Sequence, residues 1–153
     1  MVPELTASSG RQFVSVWATK RHAPTSSGSI CQAPATSEPG GAYSFEVSTT
    51  ATADSTAFKE QIRDQITAGR PLPADGVALQ LAFVVGPRRV WPNLWKATID
   101  SLGSLLGRDV GAGQWNVRDG RITGLGLHYA VSPDAGNRVV IAIRADRIVQ
   151  PTT

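Results

Sequence analysis

Alternating apolar and polar positions predict the strands of this chain. In the segment 43–49, Tyr43, Phe45 and Val47 alternate with polar residues, as in a half-buried strand. Val77–Val85 is apolar on both of its faces, which is typical of a central strand that is covered on both sides. The same reasoning predicts two further strands and a weaker short strand near the start of the chain, at Arg121–Val131, Arg138–Arg144 and Gln12–Trp17.

An apolar residue at every fourth position predicts the first helix, from about Thr56 to Ala68. Asp54 or Ser55 is expected to cap its start, and Gly69 is expected to end it. Its buried stripe is predicted to consist of Phe58, Ile62 and Ile66.

A second helix is predicted from Asn93 to Leu106. One side of it is apolar, whereas Asn93, Lys96 and Asp100 share the nearly opposite side. The apolar side consists of Leu94, Trp95, Ile99, Leu102, Leu105 and Leu106.

The predicted order from Tyr43 onward is β-α-β-α-β-β, which indicates one α+β domain with a mixed sheet and helices packed on it. The segment 132–137 has the composition of a turn, so the last two strands are expected to pair as a hairpin. Before Tyr43, the segment 22–41 is rich in small residues and proline and is read as a linker. The predicted division is therefore an N-terminal extension at 1–41, with a short strand and a flexible linker, and a domain at 42–149.

Composition narrows the functional classes. The 153 residues include 41% hydrophobic and 18% charged residues, which is ordinary for a globular domain. Cys31 is the single cysteine, so an internal disulfide is excluded and a reducing compartment is expected. The first residues lack the apolar core of a signal peptide, and no apolar stretch approaches the roughly 20 residues of a membrane span. We therefore expect a soluble cytoplasmic protein without a membrane partner.

The net charge of +3 is unevenly distributed. Residues 1–87 carry six basic and seven acidic groups, residues 88–121 carry six and three, and residues 122–153 carry three and two. The middle segment therefore has a charge of +3, while the flanking segments, at −1 and +1, cancel. A local basic cluster can attract phosphate, although a solvated surface of mixed sign is the alternative explanation.

Several common sites are excluded by the pattern. His22, Cys31 and His128 are too few and too scattered for a zinc site, and His128 is expected to be structural. A phosphate-binding GxxxxGK[ST] loop and a GxSxG nucleophile elbow are both missing from the sequence.

What remains is the segment 88–96, then Asp100, then Arg118 to Ile122 before a strand. Here the sequence resembles the RusA-like family of Holliday-junction resolvases, which are magnesium-dependent endodeoxyribonucleases of DNA recombination and repair. The matching residues are Asn93, Leu94, Lys96 and Asp100 in the helix motif and Asp119 in an acidic pair. The resemblance extends from about Tyr43 to Arg144, and the predicted order of elements agrees with it.

The sequence also departs from the family pattern. The family has two aspartates where this chain has Val90 and Pro92, and an acid where it has Arg118. In the family these acids help to hold Mg²⁺ against the scissile phosphate. Valine and proline offer no side-chain oxygen to a metal that prefers oxygen ligands. The nuclease centre is therefore expected to be altered.

The resemblance implies a role for each matching residue. Lys96, Asp100 and Asp119 take the catalytic positions, and Asp100 and Asp119 are the remaining candidate ligands for Mg²⁺. The residues expected to bind nucleic acid are Arg88, Arg89, Asn93, Lys96, Arg118 and Arg121. We expect a homodimer that binds branched or duplex DNA, with Trp91 and Trp95 able to stack on exposed bases. Any remaining activity would be that of a magnesium-dependent nuclease.

Structural explanations compete with each of these roles. Asn93 fits a helix N-cap, and Lys96 with Asp100 fits the (i, i+4) pair that stabilises exposed helices. Trp95 belongs to the apolar side of its helix. The second functional hypothesis is therefore a non-catalytic module for protein interaction or self-assembly. It predicts that Trp91 is exposed on an apolar patch and that Asp100 and Asp119 lie far apart.

Overall fold

The computed structural model describes residues 14–20, 24–25, 27, 42–73 and 76–148. These ranges contain five strands and three α-helices. The strands are β1 (Val14–Thr19), β2 (Tyr43–Thr49), β3 (Gly76–Val85), β4 (Ile122–Val131) and β5 (Val139–Ile148). The helices are α1 (Thr56–Gln65), α2 (Pro92–Asp100) and α3 (Gly103–Leu106).

The five strands form one sheet in the order β1-β4-β3-β5-β2. β3 and β4 are parallel, and the other neighbouring strands are antiparallel, so the sheet is mixed. This confirms the predicted α+β fold. None of the helices in the described part of the chain is long and apolar enough to cross a membrane.

The main core lies between one face of the sheet and the helices. Alternate residues of β3 join this core, because successive side chains of a strand point to opposite faces. The β3 contribution consists of Val77, Leu79, Leu81, Phe83 and Val85. Phe58 and Ile62 of α1 and Leu94 of α2 meet them and are almost completely buried.

The predicted hairpin between the last two strands is wrong. β3 lies between β4 and β5, so the connection from β4 to β5 crosses the end of β3. There the Ser132 N–H donates to the Val85 carbonyl at 2.7 Å. β3 is apolar on both faces, so a central place with a partner strand on each side suits it. The turn composition of 132–137 predicted the reversal of the chain but could not specify which strands pair.

The short strand predicted at 12–17 is β1, displaced by two residues. It pairs antiparallel with β4, from Val14 opposite Tyr129 to Thr19 opposite Gly124. The sheet therefore includes a strand from the predicted extension. Apart from residues 24, 25 and 27, the predicted linker at 22–41 lies outside the described residues.

The predicted second helix is divided into α2 and α3. The Ser101 hydroxyl donates to the Ala97 carbonyl, a local bond that competes with regular helix, and Gly103 follows. The alternative role of Asn93 as N-cap is wrong, because the cap position is Trp91 and its side chain makes no capping bond. The first helix does have a predicted cap, since Ser55 accepts from the Phe58 N–H. It ends at Gln65 rather than at residue 68.

Candidate functional site

Lys96 lies at the centre of a charge cluster that joins α2 to the turn before β4. Its Nζ donates to Oδ1 of Asp100, one helical turn further along α2, and lies 3.4 Å from Oδ2 of Asp119. Asp119 begins the short 3₁₀ turn Asp119–Arg121, which leads directly into β4. The structure therefore brings together the three residues that take the catalytic positions in the resemblance.

Lys59 of α1 adds a second ammonium group to this cluster. Its Nζ lies 3.2 Å from Oδ2 of Asp100, so the Asp100 carboxylate lies between two lysines. The Asp100 side chain is 15% exposed, which limits the access of competing water. The Lys59 ammonium also lies 5.7 Å from the centre of the Trp115 ring, within the range of a cation–π contact. Sequence reasoning missed Lys59 because this contact joins two separate helices.

The surroundings of Lys96 keep its side chain protonated. Partial burial acts to lower the pKa of the ammonium, but the hydrogen bond and charge of Asp100 and the charge of Asp119 outweigh it. The pKa of Lys96 is consequently raised above its ordinary value of 10.5. Lys96 is therefore a fixed positive charge at neutral pH rather than a proton acceptor.

Lys20 completes the cluster from the end of β1. Its backbone N–H donates to the Thr123 carbonyl, which continues the pairing of β1 with β4. This pairing sets the Lys20 side chain beside the turn before β4, where Nζ donates to the Gly120 carbonyl at 2.7 Å. The chain has three lysines, and all of them lie at this site. Lys20 was missed because nothing in the sequence shows that β1 pairs with β4.

A cleft of about 260 Å³ opens between the end of β1, α2 and the start of β4. Its polar lining includes the side chains of Lys20, Lys96 and Asp119. Its apolar lining consists of Ala18, Trp95, Ile99, Ile122 and Leu125. The cleft thus combines charged groups with a substantial apolar wall.

The charge cluster fits an ammonium group better than the magnesium ion that the resemblance implies. Lys96 lies between the Asp100 and Asp119 carboxylates, in the position that a shared cation would take. Lys59 supplies a second positive charge to Asp100, so two ammonium groups already balance two carboxylates. Among the described residues, no group of three or more His, Cys, Asp or Glu side chains forms a metal-binding set. A divalent ion placed here would meet two cations and too few oxygen ligands.

Arg89 was predicted to bind nucleic acid, but its guanidinium is engaged within the protein. Its Nη1 donates to the Ala51 carbonyl at 2.9 Å and its Nη2 to the Thr50 carbonyl at 2.8 Å. Nε and Nη2 also donate to the Asn137 carbonyl. Arg89 therefore connects the segment after β2 to the turn between β4 and β5.

The other predicted nucleic-acid contacts are divided between separate places. Arg121 donates to the carbonyls of Leu106 and Leu72, so it too holds the fold together. The Arg118 Nε lies 2.7 Å from Oδ1 of Asp109 in an exposed ion pair. Arg88 and Asn93 are exposed and line a second cleft at the start of α2, away from Asp119.

Comparison with known proteins adds no relative of this chain. No protein-family model, curated protein or solved structure matches it. The resemblance to the RusA-like family therefore stays a prediction, and the functional interpretation depends on the geometry of the described residues.

Two features expected for an interaction module differ from the structure. Trp91 is half-buried and stacks on Tyr129, with ring centres 4.7 Å apart and planes 13° apart. It therefore does not offer an exposed apolar patch. Asp100 and Asp119 do not lie far apart, because both contact Lys96. Trp95 packs partly against the core, as its place on the apolar side of the helix predicts, and it also lines the cleft.

Proposed function

We propose that this protein binds branched DNA through phosphate contacts at the cleft of Lys20 and Lys96, and that its nuclease centre is altered. The observation that supports this is the position of Lys96 between Asp100 and Asp119, with Lys20 on the same cleft. The two residues lie 76 positions apart in the sequence. Packing of the core does not explain why the two lysines lie at one cleft, since Lys20 is exposed and the Lys96 side chain is 52% exposed.

The two lysines retain capacity for a phosphate group. An ammonium has three N–H donors. Lys20 uses one for the Gly120 carbonyl, and the Lys96 contacts are to the two carboxylates. Three lysines against two aspartates give the cluster a charge of +1, and the pKa of Lys96 keeps its charge constant. Phosphate contacts of this kind give affinity without reading the base sequence.

The same geometry argues for binding rather than cleavage. Magnesium-assisted cleavage requires a metal beside the scissile phosphate, where it generates the nucleophile and neutralises developing charge. Here the ammonium of Lys96 supplies the positive charge between the carboxylates, and Val90 and Pro92 contribute no side-chain oxygen. A homodimer, which the resemblance implies, would present two such clefts to a four-way junction.

Fluorescence anisotropy with a labelled four-way junction and a linear duplex of the same arm sequence tests this function. We expect tighter binding of the junction and an affinity that falls with salt. Lys96→Ala and Lys20→Ala should each reduce the slope of log K against log salt by about 0.9, the value for one lost phosphate contact. Arg138→Ala is the matched control, because Arg138 is exposed and follows the opposite end of β4.

Two results would change this assignment. Binding without junction preference and without salt dependence would refute the proposed function. Cleavage of the junction with Mg²⁺ or Mn²⁺ that is lost in Asp119→Asn would assign a nuclease instead. Sedimentation velocity with and without the junction reports whether the bound form is a dimer.

A further inference from the structure

We infer that the cleft takes a single unstacked nucleobase next to the phosphate-binding lysines, so that the preferred DNA contains a nucleotide that can leave the stack, at a branch point or a bulge. This inference rests on the proposed function and specifies the part of a branched DNA that the site recognises. It depends on the apolar lining of the cleft, which phosphate binding does not explain.

The apolar wall is larger than a phosphate site requires. Charge-assisted hydrogen bonds supply the strong contacts to a phosphate, yet five apolar residues line this cleft. Trp95 is half-buried and therefore keeps part of its ring accessible. Aromatic side chains are the usual platforms for bases of single-stranded nucleic acid, because every base has a flat face that stacks.

The size of the cleft selects one ring system. Its volume of about 260 Å³ lies just below the range of about 300–1,000 Å³ that is typical of pockets for drug-sized ligands. A single base with part of its sugar suits that space. Bases in an intact duplex stay stacked on their neighbours, so a duplex would reach only the charged rim.

The charged groups around the cleft match the rest of a nucleotide. Lys20 and Lys96 lie on the cleft, where they can bind the phosphate attached to the inserted base. The Asp119 carboxylate also lines the cleft, and its charge is partly balanced by Lys96. A carboxylate accepts hydrogen bonds only, so it offers a partner to the N–H groups of a base and repels phosphate.

Two duplexes with a single-nucleotide bulge test this inference by fluorescence anisotropy. One bulge contains thymidine, and the other contains an abasic tetrahydrofuran residue, so the two carry the same phosphates and differ in the base alone. We expect the thymidine bulge to bind at least about fivefold more tightly, the factor that corresponds to the weakest base–aromatic stacking. Trp95→Leu should remove this difference, Trp95→Phe should retain part of it, and Lys96→Ala should weaken both complexes by the same factor.

Each outcome separates this inference from the proposed function. Equal affinity of the native protein for the two bulges would refute the base pocket, while a dependence on salt and on Lys96 would leave phosphate binding in place. Absence of binding to both bulges and to the junction would refute both proposals. Because Trp95 also packs against the core, thermal melting of each variant shows whether loss of the affinity difference between the two bulges comes from unfolding. The comparison of the two bulges with the native protein needs no variant.

Discussion

Arg89 and Arg88 provide a direct test of how the basic segment is used. Both were predicted to contact DNA, but only Arg89 donates to backbone carbonyls of the chain, those of Thr50, Ala51 and Asn137. We expect Arg89→Ala to destabilise the fold and Arg88→Ala to leave its stability unchanged. The two variants lose the same charge at adjacent positions, so each is the control for the other.

The expected magnitude follows from the three carbonyl groups that lose a donor. A hydrogen bond with a charged donor contributes about 1.5–3 kcal/mol to stability, and less where water replaces the donor. Arg89 is partly exposed, so we assign about 1 kcal/mol to each carbonyl and expect a loss of about 2–3 kcal/mol. For a chain of this size, that corresponds to a fall in Tm of about 4–12 °C.

Urea unfolding followed by circular dichroism measures the loss of stability. The binding assay with the four-way junction measures the alternative role, a phosphate contact to DNA. Arg89→Ala should shift the urea midpoint at constant slope, and Arg88→Ala should not. If both variants unfold like the native protein while Arg89→Ala loses more DNA affinity than Arg88→Ala, the structural role of Arg89 is refuted. Its role would then be the phosphate contact predicted from the sequence.

Three further predictions concern other parts of the molecule. Burial lowers the pKa of His128 from 6.5 to about 4. Between these pH values the unfolded chain binds a proton that the folded chain excludes, so the free energy of unfolding should fall by up to about 3 kcal/mol as the pH falls from 6.5 to 4. Urea unfolding at several pH values should show this fall, and His128→Gln should reduce it; an unchanged pH profile in that variant would contradict the assignment. Gly86→Ala would place a Cβ atom 1.9 Å from the carbonyl oxygen of Gly136, so this variant should destabilise the fold by about 3 kcal/mol or more. Gly120→Ala is the control, because a Cβ atom at Gly120 meets open space. Equal melting temperatures of the two variants would exclude the contact with Gly136. Lys59→Met should weaken DNA binding without changing its salt slope, because Lys59 acts through Asp100; a slope reduced as in Lys96→Ala would show direct phosphate contact.

The elements could be predicted from the sequence because each depends on neighbouring residues. The alternation in β2 and the stripe of Phe58 and Ile62 reflect one buried face each, and the structure confirms both. Strand pairing depends on residues far apart in the chain, and local patterns do not contain it. Only the structure therefore shows that β3 lies between β4 and β5 and that β1 lies beside β4.

The site shows the same division between local and distant contacts. The pair of Lys96 and Asp100 follows from their spacing on a helix. Asp119 entered through the resemblance, and the structure places it beside Lys96. Lys20 and Lys59 could not be found in this way, because they reach the cluster from β1 and α1 through tertiary packing. The missing signal is the topology of the sheet, which places the end of β1 beside the start of β4.

The structure also changes the meaning of the basic segment at 88–121. Guanidinium groups are planar forks that can bind several carbonyls at once, and Arg89 and Arg121 do so with the backbone of this chain. Arg118 is paired with Asp109. The net charge of the segment therefore overstates the number of groups ready to bind phosphate.

This difference predicts a shallow salt dependence. With Lys20, Lys96 and Arg88 as the exposed contacts, one protomer should release about three counterions, and log K should fall with log salt at a slope of about −2.7. If all six basic residues of the segment contacted phosphates, the slope would be about −5.4. The measured slope is divided by the number of bound protomers, which sedimentation velocity gives. A slope near the larger value per protomer, reduced in Arg89→Ala or Arg121→Ala, would mean that these arginines leave their carbonyl partners on binding. In that case the loops that these arginines hold would rearrange with the DNA, and Arg89→Ala would weaken binding and stability together.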